Sequence, residues 1–148
     1  MNVITTFNTK RREKQIKHER SLLKELSIQL LSKSVQKYFG GIRMQGGVFL
    51  QQGLEEGCYD VAIEAYLLGA QFSRFAGLQE EKRQIQARCE KEMKHLIDTL
   101  FNFWLYWGKI GEEIVFSDSL HISCEGFIEY WWNEGFTKAD KRRKMRLH

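Results

Sequence analysis

The chain has 148 residues, of which 43% are hydrophobic and 28% charged. These are the proportions of one globular domain long enough to bury a core, and they exclude a disordered chain. The net charge of +4 hides a strong asymmetry. Residues 1–40 carry nine Lys/Arg against three Glu, residues 41–136 carry eight against fifteen Asp/Glu, and residues 137–148 carry six against Asp140. Basic ends flank an acidic middle, a pattern that points to an anionic partner or self-association more than to catalysis.

In chain order, residues 1–8 read as a flexible lead. Its apolar stretch from Val3 to Phe7 is too short for a signal peptide. Thr9 can cap a long helix running to about Phe39. Ile16, Leu22, Leu23, Leu26 and Leu30 fall on one side of it. Leu31, Val35 and Tyr38 fall on the other, so its second half is expected to be buried nearly all round.

Gly40 to Gly47 is a glycine-bracketed connector. A short helix over 48–56 ends at Gly57. A second runs from Asp60 to Ala76 with Gly77 as its stop. A long helix follows from Gln79 to Trp107, and Gly108 and Gly111 mark a turn. Ser117 or Asp118 caps a last helix that Gly135 breaks, and residues 137–148 form a basic tail.

The periodicity is helical throughout and proline is absent, where about seven would be usual. The predicted fold is an all-α bundle of four to six helices. Two of them are long, the connections are marked by glycine, and residues 9–136 make one domain. Leu96–Trp107 is well short of the ~20 residues that cross a bilayer and contains Asp98, so no transmembrane span is expected. Cys58, Cys89 and Cys124 are far apart and form no CxxC pair. That fits thiols packed as small apolar groups in a reducing, cytoplasmic setting.

The candidate site residues are mostly cationic. Lys10, Lys14, Lys17, Arg20 and Lys24 recur every three or four residues and share one helical face, where they can track phosphates or an acidic surface. Glu13 lies within the stripe and blunts it. Lys141, Arg142, Arg143 and Lys144 form a denser run, either a frayed tail or an electrostatic arm. The aromatics crowd two segments. Trp131 and Trp132 are adjacent and cannot both face one side, so Trp107, Tyr130 and Trp132 are candidates for an interface.

Glu92-Met93-Lys94-His95 holds a Glu-x-x-His pair of the kind that di-iron bundles use, with His121 and Glu125 as a further i, i+4 pair. No second Glu-x-x-His copy exists, so neither a metal nor another cofactor is expected. No GxSxG, P-loop, GxGxxG or HExxH is present, and no catalytic residue is assigned. Cys58 could act as a nucleophile only beside His95 or His121.

Two resemblances follow from particular residues. Gly57, Ala62 and Tyr66 resemble the turn and second helix of a tetratricopeptide repeat. The likeness covers half of one repeat and does not recur, which implies a helix hairpin and not a solenoid. Phe7, Lys10-Arg11-Arg12-Glu13-Lys14 and Glu19-Arg20-Ser21-Leu22-Leu23-Lys24-Glu25-Leu26, with Tyr59–Tyr66, resemble an uncharacterised family of small helical proteins from Bacillus-type bacteria. That resemblance implies a bacterial cytosolic protein and carries no activity and no site residues.

The expected function is that of a non-enzymatic interaction protein with a protein partner or a second copy, working through its basic ends and an aromatic surface. The alternatives are a nucleic-acid-binding accessory protein and a metal-dependent helical-bundle enzyme.

Overall fold

The computed structural model describes residues 3–40, 47–108 and 115–146. Among these the chain is all-α, with six helices: α1 (Val3–Leu23), α2 (Ile28–Phe39), α3 (Gly47–Phe72), α4 (Lys82–Arg88), α5 (Glu90–Gly108) and α6 (Val115–Arg146). A 3-10 turn, Ser73–Leu78, links α3 to α4. The glycine connector after Gly40 and the turn at Gly111 lie outside the described residues.

The first predicted helix is two helices. Ser27 is extended, and its side chain accepts a hydrogen bond from Leu30 N at 3.1 Å, so a new helix starts there. The apolar stripe changes side between Leu26 and Leu31, and the chain meets that change with a break, not with burial all round. α2 buries one stripe, Leu31, Ser34, Val35 and Phe39, while Ile28 stays 75% exposed.

α3 and α6 form the centre and run side by side in the same direction. Cys58 neighbours Cys124, Tyr66 meets Trp131 and Ser73 meets Arg143, in ascending order along both helices. Two glycines permit the contact. A Cβ at Gly69 would lie 2.0 Å from the Trp132 carbonyl oxygen, and one at Gly135 would lie 1.8 Å from that of Tyr66. Backbone thus touches backbone on both sides of the crossing. Gly135 therefore does not break α6, which continues for eleven residues beyond it to Arg146.

Gly57 likewise lies inside α3, under the ring of Phe103, and the hairpin implied by the repeat-like motif does not form. The stop after α3 is not Gly77 either. The left-handed residue is Gln79, with φ 64°.

The remaining helices wrap this pair. α5 packs on both α3 and α6, and α2 packs chiefly on α6. The Phe39 ring stacks on Trp104 at 4.7 Å. Trp131 Nε1 donates to Ser34 Oγ at 3.1 Å, and that hydroxyl donates to Leu31 O at 2.7 Å, which satisfies a buried polar chain.

The expected Gln79–Trp107 helix is also interrupted, at Cys89, between α4 and α5. Gln84 Oε1 accepts from Glu81 N at 3.2 Å and starts α4. α1 runs against α3. Its Leu22 carbonyl accepts from Tyr66 Oη at 3.2 Å, and Glu19 accepts from Gln71 at 3.4 Å.

Candidate anionic-partner surface

Every side chain described between Thr9 and Lys17 is exposed, as are Arg20 and Lys24. The basic stripe of Lys10, Lys14, Lys17, Arg20 and Lys24 therefore faces water. Lys10 and Lys14 precede Ser21 by eleven and seven residues, close to three and two helical turns, so they stand in line with it.

Ser21 is where α6 arrives. Arg142 donates to the Ser21 carbonyl at 3.1 Å, to the Ser21 hydroxyl and to the Glu25 carboxylate. The two basic segments, separated by more than a hundred residues in sequence, meet here. α1 descends along α3, from Leu22 at Tyr66 to Glu19 at Gln71, and α6 ascends with α3, so α6 is antiparallel to α1.

The C-terminal segment is accordingly not a frayed tail. It is the last part of α6, with Ala139 fully buried. Its four candidate cations divide. Lys141 and Lys144 are exposed, and Lys144 pairs with Asp140 at 3.1 Å. Arg142 and Arg143 are half-buried and turned inward. Arg143 Nη2 donates to Ser73 Oγ at 3.0 Å. These two arginines join α6 to its neighbours, a role that charge density alone did not reveal.

The aromatic candidates fare differently. Trp132 is 0% exposed and Trp131 2%. Both are buried because α6 is a central helix with neighbours on several sides. Trp132 belongs to the core, stacked on Phe136 at 5.1 Å, and offers no interface. Tyr130 is half-buried between Tyr38 and Trp131, with Lys37 Nζ 5.7 Å from its ring centre. The Trp107 side chain lies outside the described residues. Among the described residues of α5, the aromatic that faces solvent is Tyr106, at 76%.

The acidic middle of the chain has its own place. Glu90, Asp98, Glu125 and Glu129 line a groove of about 530 Å3 between α4–α5 and α6, with Arg83, Lys94 and His121 among them. His121 Nδ1 lies 2.8 Å from Glu125 Oε1. Glu92 and His95 line a separate shallow hollow with Glu64 and Lys91. Among the described residues no three His, Cys, Asp or Glu side chains are placed to hold a metal ion.

All three cysteines are buried and unbonded. Burial pushes the Cys58 and Cys124 thiols up to about 12 and that of Cys89 to about 11, so none is a thiolate at neutral pH. The indole N–H of Trp104 opposes the shift at Cys58, and that of Trp132 opposes it at Cys89. Neither indole has an oxygen or nitrogen acceptor. The histidine that Cys58 needs as a nucleophile is not beside it: His95 is exposed and His121 is engaged with Glu125.

The family described as "Protein of unknown function (DUF2521)" matches residues 1–148. The chain belongs to this family. It is 31% identical over 153 aligned positions to "Uncharacterized protein YbaK" of Bacillus subtilis (strain 168), with 99% of each chain covered. No solved structure matches. No helix among the described residues is long and apolar enough to cross a membrane.

Proposed function

We propose that this chain is a non-enzymatic helical interaction protein that recognises the anionic surface of a protein partner through its united basic ends. The observation that carries this reading is the seat of Arg142 on Ser21 and Glu25. It ties the end of α6, which bears the exposed Lys141 and Lys144, to the helix that bears Lys10, Lys14 and Lys17. Neither segment alone offers a broad face: the stripe on α1 is narrow, and only Lys141 and Lys144 face water among the four candidates on α6. The contact of Arg142 with Ser21 supports a reading in which the two act together. Trp132 takes no part in an aromatic surface, since it is core. Three unbonded, buried thiols support a cytoplasmic setting.

The test replaces Lys10, Lys14 and Lys17 by Glu. Exposed changes usually cost within about 0.5 kcal/mol each, so the melting temperature should move little. Capture from the native cell should yield a partner that survives nuclease treatment with the wild type and is lost with the variant. Equal capture by both would remove the basic patch from the function.

Nucleic acid is the second reading, favoured by the regular spacing of the stripe along one helical face. It requires a partner that nuclease removes, and an affinity that falls by about 0.9 logarithmic units per phosphate contact for each tenfold rise in salt.

A further inference from the structure

Near the seam at which Arg142 seats on Ser21 lies a pocket of about 280 Å3, walled by α1, the end of α3, the 3-10 turn and α6. Leu22, Leu67 and Ala70 supply an apolar wall, and Arg74 and Arg143 supply two guanidinium groups. One carboxylate, that of Glu19, also lines it and accepts from Gln71.

Arg143 is incompletely satisfied. Its Nη2 donates to Ser73 Oγ, and the buried Ser73 hydroxyl spends its own proton on Ala70 O at 2.6 Å. Nη1 is buried and has no acceptor. Burial holds the guanidinium below its usual pKa and Arg74 lowers it further, while Asp140 opposes them. Asp140 itself is paired with Lys144. A buried donor without an acceptor is rare in native proteins. Here it belongs to a planar cation suited to bidentate oxyanion recognition, with a second such cation close by.

We propose that this pocket binds a small phosphate monoester bearing an apolar substituent, with Arg143 and Arg74 clamping the phosphate oxygens and Leu22, Leu67 and Ala70 receiving the substituent. Nη1 lies below the surface, so the proposal requires the guanidinium to turn about its Ser73 contact. Walls on several sides favour a terminal phosphate over a diester within a polymer. The site does not rest on the exposed lysines and stands or falls apart from them.

The probe is phenyl phosphate, titrated calorimetrically into the full chain at constant ionic strength. Saturable one-site binding is expected, tighter than for inorganic phosphate because of the apolar wall. Affinity should fall about tenfold or more, the effect of losing one charge-assisted contact, in Arg143→Met and in Arg74→Gln. Arg74 is exposed, so its variant decides the matter if Arg143→Met does not fold. A Lys14→Gln variant should bind as the wild type does. Three results would overturn the site: no saturable binding, undiminished binding in Arg74→Gln, or equal weakening in Lys14→Gln, which would mean diffuse attraction to the basic surface.

Discussion

The two basic segments look alike in composition and differ in what the fold does with them. On α1, Lys10, Lys14 and Lys17 project into water, and the helix is held to the body further along, at Leu22 and Ser21. On α6, Arg142 and Arg143 turn inward and bind neighbouring elements, while Lys141 and Lys144 stay outside. Residue type explains the division. A guanidinium can donate to a carbonyl, a hydroxyl and a carboxylate at once, as Arg142 does, whereas an ammonium is a compact and strongly hydrated charge. Within residues 141–144 the cations therefore have two jobs: Arg142 and Arg143 fasten the helix, and Lys141 and Lys144 keep a charged exterior.

The largest expected effect comes from removing the contact that seats α6. Gly135→Leu puts a side chain where the Tyr66 carbonyl already stands. Overpacking of this kind costs about 3 kcal/mol or more. Urea denaturation should show it, and an unchanged midpoint would mean that the two helices are not in backbone contact. The C-terminal segment should lose its seat on α1, while the lysines of α1 keep their exposure.

Next in size is Arg142→Met, which keeps the aliphatic stem and deletes the three donated bonds. A loss of about 1.5–3 kcal/mol is expected, the range for hydrogen bonds to charged groups. A double-mutant cycle with Glu25→Gln isolates the carboxylate's share. A coupling energy near zero would leave the Ser21 contacts as the working part of the seam.

Much of this was legible in the sequence, and the losses have physical causes. Helical class follows from spacing and absent proline, and the exposure of the α1 lysines follows from helical phase. The break before Ser27 was visible as the change of side between Leu26 and Leu31, but a continuous helix explains the same letters unless Ser27 is taken as a cap. Gly57 and Gly135 mislead because glycine serves two purposes: it ends helices, and it lets helices touch. Only a tertiary partner, Phe103 or the Tyr66 carbonyl, tells which. Trp132 misleads for a similar reason. Adjacent residues can both be buried when a helix has neighbours on several sides, and the number of neighbours is not written locally. The seat of Arg142 on Ser21 joins residues 121 apart, which no periodicity reports.

The smallest expected effect lies two residues from Arg142. Lys144 is 72% exposed in its side chain and pairs with Asp140 one turn earlier. An exposed i, i+4 pair is worth about 0.3–0.5 kcal/mol, and salt screens it. Lys144→Ala should therefore shift stability by no more than that, and the shift should vanish in molar salt. The Arg142→Met effect should survive the same salt, because its carbonyl and hydroxyl contacts are half-buried and only part of its bonding is ionic. Measuring both variants across a salt series separates the two kinds of cation on one helix. If both losses faded together, Arg142 would be a surface ion pair like Lys144. The inward arginine would then do no more than the outward lysine, and the two would share one role. If Lys144→Ala cost as much as Arg142→Met, the end of α6 would be held by its charge as a whole, not by the three bonds of one guanidinium.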